Sequence, residues 1–447
     1  MKRYPFNDSL KAAIWLYLIL LILEGGLRKW FLPALSTPLL VIRDPIAVWI
    51  FLKARQRGFL KFNGLSFLMV LAGFISFLTA MTIGHGNLMV AVFGARILII
   101  QFPLIFAIGQ IMDHEDVVKV GNALLWISFP MTVLIGLQFF SPQSSWVNRG
   151  VGGDAGGAGF SGALGYFRPP GTFSFTTGVV QFYGLVAAYI FYFWLHPQYV
   201  NKMVLMAATG CLLLSVPLSI SRSLFFEVFL SLVFSVIAAW RRPKYLGSMI
   251  GGGVVVFFIL LLLQNQSFFA TSTAAFTDRF TNANEAEGGI NGVFLDRFLG
   301  GMITAIQNAP NIPFFGFGIG MGTNVGSQLL TGGMSFLISE QEWGRMIGEQ
   351  GLLLGFVAII VRIATTIKLS RESIQHLKRA DALAWMILSF SFILLLQAQW
   401  GQPTALGFSV LSGGLAIAAM NEPEYEDEDF EELEVEEGEE LEEVGSA

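Results

Sequence analysis

The chain has 447 residues, of which 54% are hydrophobic and 13% charged, with a mean hydropathy of +0.63. That balance excludes a soluble domain and predicts a polytopic membrane protein. The one cysteine, Cys211, falls in an apolar run and leaves neither a disulfide nor a thiolate metal site available. The net charge of −5 hides an asymmetry: 15 of the 32 acidic residues lie between Glu422 and Glu443, leaving 17 against 27 Lys and Arg in the rest of the chain. A cationic body suits anionic lipids or a phosphorylated substrate, although the ordinary cytoplasmic Lys/Arg excess of a membrane protein accounts for much of it. No nucleic-acid partner is expected.

Apolar runs long enough to span, at ~20 residues each, begin near Leu10, Ala34, Gly64, Leu88, Val118, Thr172, Met203, Leu224, Tyr245, Arg345, Ala382 and Thr404. They predict an all-α protein of about 12 transmembrane helices. The first run lacks a small-residue cleavage site and is followed by further spans, so it reads as a retained helix rather than a signal peptide. With the N-terminus cytoplasmic, one set of loops holds 16 Lys and Arg and the opposite set 8, which predicts both termini inside. Residues 1–263 then form nine spans with a glycine-rich outer loop at 141–171, in which half of residues 150–165 are glycine. That stretch lacks the Gly-Lys-Ser/Thr ending of a nucleotide loop and reads as a flexible lid. Residues 264–344 form the large outer loop before the tenth span, with an amphipathic helix at 293–308 marked by Phe294, Phe298, Met302 and Ile306. Residues 345–421 carry the last three spans, and 422–447 read as a disordered acidic cytoplasmic tail that is solvating or partner-binding.

The chain's charges stand out most where 264–344 runs into the tenth span. Glu342, Arg345 and Glu349 stand at i, i+3 and i+7 and share one helical face, with a small-residue stripe of Gly344, Gly348, Gly351 and Gly355 beside them. Charges at a bilayer lip read as a functional site by default, the bland alternative being a helix-end anchor. Arg43 with Asp44 lies within the second span and Arg96 within the fourth. Arg168 precedes Pro169-Pro170-Gly171, a rigid turn, and Arg222 sits in the short turn Ser219-Ile-Ser-Arg-Ser223. On the expected topology Arg168, Arg222 and Arg345 all face outward. An arginine there is more often a snorkelling anchor, but three converging planar forks would suit a diphosphate. A catalytic metal is not expected: the four histidines are scattered, with no HExxH pair and no outward DxD pair.

In chain order, four elements resemble the O-antigen ligase and O-antigen polymerase family of bacterial membrane glycosyltransferases. Arg168-Pro-Pro-Gly-Thr-Phe173 is similar to its Arg-x-x-Gly-x-Phe element, and Ser221-Arg222-Ser223 to its Ser-Arg-Gly/Ser turn. Gly316-Phe-Gly-Ile-Gly320 resembles its Gly-x-Gly-x-Gly stretch, and Glu349-Gln-Gly351 with Leu352-Leu-Leu-Gly355 its Glu-x-Gly-x-x-Gly element. The resemblance covers approximately residues 90–400. Two departures lean toward a repeat-unit or exopolysaccharide polymerase rather than a ligase: Thr176-Thr177-Gly178 stands where ligases continue into Pro-Asn, and Glu340 stands where they carry a histidine.

The resemblance implies a GT-C-like architecture in the bacterial plasma membrane. It also implies transfer of a glycan from a polyprenyl diphosphate to an acceptor sugar hydroxyl at the outer face, without metal, nucleotide or other cofactor. Its partners would be the lipid-linked donor, an acceptor glycan, membrane lipids and other polysaccharide-assembly proteins. A base must then take the acceptor proton, for which Glu342 is the first candidate and Glu340 the second. Arg168, Arg222 and Arg345 would hold the diphosphate, Glu349 would orient an arginine, and Arg96 would support the site. Phe315, Phe317 and Trp343 would stack on sugar faces, although exposed aromatics at membrane interfaces are more often anchors. A flippase or transporter remains the rival class, and an envelope scaffold the third.

Overall fold

The structure, a computed structural model, describes residues 5–60, 63–241, 245–286, 301–308, 312–333, 336–379 and 381–421. Away from water a backbone must satisfy itself, so apolar windows become helices. α1 (Pro5–Gly26) passes through a π-helical turn (Leu27–Phe31) to α2 (Ser36–Leu39) and α3 (Asp44–Gln56). α4 (Gly64–Thr82), α5 (Leu88–Arg96), α6 (Phe102–Ile111) and α7 (His114–Phe140) follow. An antiparallel hairpin of β1 (Ser161–Ala163) and β2 (Tyr166–Phe167) leads into α8 (Thr176–Leu195), α9 (Lys202–Leu218) and α10 (Arg222–Arg241). Then come α11 (Leu246–Leu263), α12 (Ser267–Ala286), α13 (Gly301–Asn308) and α14 (Asn324–Thr331). α15 (Glu342–Lys378), α16 (Leu383–Gln397) and α17 (Pro403–Ala418) close the described chain.

Side-chain caps fix several starts: Asn63, Asn87, Asn201 and Thr323 each accept a backbone N–H, and Asp113 forms a reciprocal capping box with Asp116. Among the described residues, eight helices are long and apolar enough to cross a bilayer, or nine if α11 and α12 make one broken span. α9, α16 and α17 are shorter apolar helices. The described chain is almost wholly helical, and its long apolar helices make it a membrane-embedded protein.

α8 is the hub, buried on nearly every face by α7, α9, α10, α16 and α17. Close approach there depends on small residues. A Cβ at Gly184 would run into Glu227 and Phe390, and one at Gly121 into Tyr189.

Two segments differ from expectation, and a third lies partly outside the described residues. The segment expected to be a loop from residue 264 begins instead as a helix, bent 104° from α11. The bend lays Phe276 and Phe280 of α12 on Phe225 and Phe226 of α10. The glycine-rich 141–171 stretch, read as a flexible lid, is folded onto the bundle. Asn148 Nδ2 donates to the carbonyls of Gln138, Ser141 and Pro142 at 3.0–3.1 Å, and Trp146 stacks on Trp30. Finally, the amphipathic helix expected at 293–308 is described only from Gly301, as α13; its earlier part and the tail 422–447 lie outside the described residues.

Candidate functional site

Gly351 adopts φ 77° and ψ 177° and breaks α15 into two arms, 342–350 and 352–378. In a straight helix Glu342 and Arg362 would be ~30 Å apart. Here Arg362 Nη1 donates to Glu342 Oε1 at 2.6 Å, and a Cβ at Gly355 would lie 2.8 Å from Ile347 Cα, so the first arm folds back along the second. Glycine is required at the turn because a side chain would be strained at this φ and would overlap the carbonyl of Phe314.

The shared face of the first arm is as expected, and it closes on itself. Arg345 donates from Nε and Nη2 to both oxygens of Glu342 at 2.8 Å, and from Nη1 to Glu349 at 2.6 Å. Glu349 also accepts the Gly322 N–H at 2.8 Å. Arg362, from the second arm, caps α16 by donating to the carbonyls of Leu394, Leu395 and Ala398, and lies over the Trp400 ring at 3.8 Å. The Trp400 N–H reaches Glu342 Oε2 at 3.0 Å. Glu342, Arg345, Glu349 and Arg362 are each no more than 3% exposed, and their formal charges cancel.

Two of the candidates therefore sit in ion pairs. Glu342, the first candidate for the base, accepts from two guanidiniums and a backbone N–H in a closed pocket, an arrangement that suits an anchor. Arg345, proposed as a diphosphate ligand, is occupied by two carboxylates. Glu340 is exposed, and its carbonyl accepts from Gln399 Nε2 at 2.6 Å. It lies beside the 398–402 turn that joins α16 and α17. Those helices, of 15 and 16 residues, are about 22 and 24 Å long, short of a ~30 Å hydrocarbon core.

The glycine stretch 316–320 is a strap and not an anion cradle. Phe317 and Gly318 donate their N–H groups to the carbonyls of Gly348 and Glu349 at 2.8 and 3.0 Å, satisfying the end of the first arm. On its other side a Cβ at Gly320 would meet Val90 and Gly94 of α5, and the Ile319 carbonyl lies 3.1 Å from His85 Nε2. Phe317 is exposed and Trp343 half-buried, with its indole N–H donating to the Leu396 carbonyl at 3.2 Å.

A second set of charges surrounds the end of α1. Arg43 donates to Glu24 at 3.1 Å and to the Pro403 carbonyl at 2.7 Å, and Arg28 lies 3.6 Å from Glu24. Arg96, the supporting candidate, pairs with Asp44 at 2.5 Å, and Gln101 shares that carboxylate. Lys29, 1% exposed, donates to the Gly171 carbonyl at 2.6 Å, while Gln138 holds the Gly171 N–H at 2.7 Å. Arg28 Nη1 reaches Ser174 Oγ at 2.9 Å, and Gly25 permits the contact, since a Cβ there would overlap the backbone at Phe173 and Ser174. The loop carrying Arg168 is thus gripped by α1 and α7.

The same loop ends the hairpin, whose Gly162 packs on Ile220, buried and held at φ 47° in the turn before Arg222. A β-branched residue in the left-handed region is strained, and such strain gathers at sites that need a fixed shape. Arg279 of α12 donates to the Gly162 carbonyl at 3.1 Å. The supports of Arg168 and Arg222 are therefore brought together, with Arg279 at the same hairpin. Arg345 does not join them; it packs against Gly322 and Gly401.

Sequence reading missed Arg362, Trp400, Glu24, Arg28, Lys29 and Arg279. For Arg362 a signal existed, a lone charge inside the apolar run Phe356–Ala364. For Lys29 and Arg279 there was none, because their partners are main-chain atoms far along the sequence. Compared with known protein families, characterised proteins and solved structures, the chain shows no significant match.

Proposed function

We propose that the chain is a glycosyltransferase that works without a metal, moving a glycan from a polyprenyl diphosphate to an acceptor sugar hydroxyl, and that it acts as a polysaccharide polymerase. In this reading it crosses a bacterial plasma membrane twelve times in a GT-C-like arrangement, both termini are cytoplasmic, and the hairpin end faces outward. The observation that carries it is the packing of Gly162, in the hairpin that leads into the Arg168 loop, on Ile220, in the turn before Arg222. Two guanidiniums on rigid supports suit a diphosphate, whose charge grows as it departs. Glu340 takes the role of base, because it is the exposed carboxylate beside the recessed turn while Glu342 is ion-paired. The acceptor oxygen forms a bond to the anomeric carbon, the bond to the diphosphate oxygen breaks with its electron pair, and the acceptor proton passes to Glu340.

The test is polymer formation by purified protein from polyprenyl-diphosphate glycan, with a chelator present. Glu340→Gln is expected to slow transfer ~10²–10⁴-fold, the range of a general base. Full activity in that variant removes Glu340 from the mechanism. No product from the unaltered protein removes the enzyme reading. One observation favours a transporter or flippase instead: the fold-back at Gly351 makes a discontinuous helix of the kind that transporters place at their sites. Movement of labelled lipid-linked glycan across vesicles, with no new glycosidic bond, is the result that reading requires.

A further inference from the structure

At the end of the bundle opposite the hairpin lies a cavity of about 480 Å³ between α6, α15 and α17. It is lined by apolar Phe106, Leu369 and Ile417 and by polar Gln110, Lys368, Glu372 and His376. Lys368 is only loosely engaged: Glu372 lies 3.9 Å away, and the two side chains are 52% and 41% exposed. Further cations neighbour the lining residues along the chain. Arg371, Lys378 and Arg379 continue the same helical end, and Arg55 and Arg57 precede Phe59, which also lines the cavity.

Asn421 forms part of the cavity wall and is pinned there, its Nδ2 donating to the carbonyls of Gly109 and Met112 at 2.6 and 3.0 Å. The next residue, Glu422, starts a segment of 26 residues with 15 carboxylates and with Tyr425, Phe430 and Leu433 among them. We propose that this cavity, with the cations that neighbour its lining, is the docking site of the chain's own acidic segment 422–447. The segment is launched from the cavity wall, so its local concentration is of the millimolar order. It can extend ~85 Å and reaches every cation named. Its charge is opposite to that of those cations, and its aromatic and aliphatic residues match the apolar lining. Docking there bears on the arm of α15 that also carries Arg362, six residues from Lys368. The proposal stands apart from the glycosyltransferase reading, because it needs no substrate.

The experiment is cysteine coupling in the full chain, in membranes, with Cys211→Ser as background. His376→Cys is combined in turn with Glu424→Cys, Glu428→Cys, Glu432→Cys and Glu436→Cys, and Ser141→Cys replaces His376→Cys as the control from the hairpin end. Disulfide formation under mild oxidant is expected for at least one His376 pair, at ten times the control yield or more. It is expected to fall at least severalfold between about 0.05 M and about 1 M salt, as screening shortens the range of the attraction. Lys368→Glu with Arg371→Glu is expected to reduce it likewise. Equal yields at His376 and Ser141, or no coupling at any of the four positions, would overturn the proposal. So would a cavity that retains a labelled anionic phospholipid through purification while the segment never couples, since the occupant is then a lipid.

Discussion

The two charged clusters are both buried among apolar helices, both built on arginine, and opposite in balance. Around α15, Glu342 and Glu349 cancel Arg345 and Arg362, and the cluster is closed to solvent. Around α1, among the described residues, Arg28, Arg43 and Arg96 stand against Glu24 and Asp44, with the basic Lys29 beside them, a formal excess of positive charge. Cancelled charges hold a shape; uncancelled ones keep attraction to spare for an anion. The 398–403 turn touches both, through Trp400 to Glu342 and through Pro403 to Arg43. A rigid neutral clamp thus stands beside a cationic platform that carries the Arg168 loop.

The largest effect should come from breaking the neutral cluster. Arg362→Met leaves Glu342 facing one guanidinium fewer and uncaps three carbonyls at the end of α16, those of Leu394, Leu395 and Ala398. A buried pair broken on one side costs ~3–5 kcal/mol, so thermal unfolding in detergent should occur at a clearly lower temperature. Glu342→Gln should cost nearly as much, and the double variant less than the sum. If Glu342→Gln melts like the unaltered protein yet loses transfer ~10²-fold or more, Glu342 is the base after all and the anchor reading fails.

The cationic platform should respond in the reverse way. Arg168→Lys keeps the charge but loses the fork, and it should slow transfer by about 10²-fold with little change in melting. Lys29→Met should show the same pattern more weakly, because it loosens the Gly171 turn that aims Arg168. Should these variants lower stability as much as Arg362→Met, the platform is structural and the contrast between the clusters disappears.

The strap links the neutral cluster to α5, and its glycines give an intermediate test. Gly320 sits at φ 91°, with Val90 and Gly94 where a Cβ would go. Gly320→Ala should cost about 1–3 kcal/mol, the usual range for a strained backbone site. An unchanged melting temperature would mean that the strap is not seated on α5.

Much of this was legible because lipid leaves a chain few choices. Apolar runs become helices, and the starts at Gly64 and Leu88 fall at the observed residues. The face shared by Glu342, Arg345 and Glu349 was legible as well, since it needs only local helix geometry. What that face does was not, because its fate is decided by Arg362, twenty residues on and brought back by one glycine torsion. A glycine in sequence says that a turn is possible, not that it is taken. The four motif elements could be found in order, yet not that Gly316–Gly320 would meet Glu349–Gly351, or that the hairpin before Arg168 would pack on the turn before Arg222.

Glu227 supplies the smallest expected effect and the sharpest control. It lies in α10 against Gly184 and Phe390, and its Oε2 is buried with no hydrogen-bond partner among the described residues. Glu342 has two guanidiniums and an N–H. The same substitution therefore asks different things of the two sites. Glu342→Gln removes a charge on which two cations depend, whereas Glu227→Gln removes nothing that a partner is seen to use. Glu227→Gln should leave stability within about 1 kcal/mol of the unaltered protein, as substitutions outside the severe classes do. The measurement is a parallel melting series of the two variants in one detergent. A loss at Glu227 equal to that at Glu342 would mean that Glu227 also binds a charged group, and that partnering does not separate these two carboxylates.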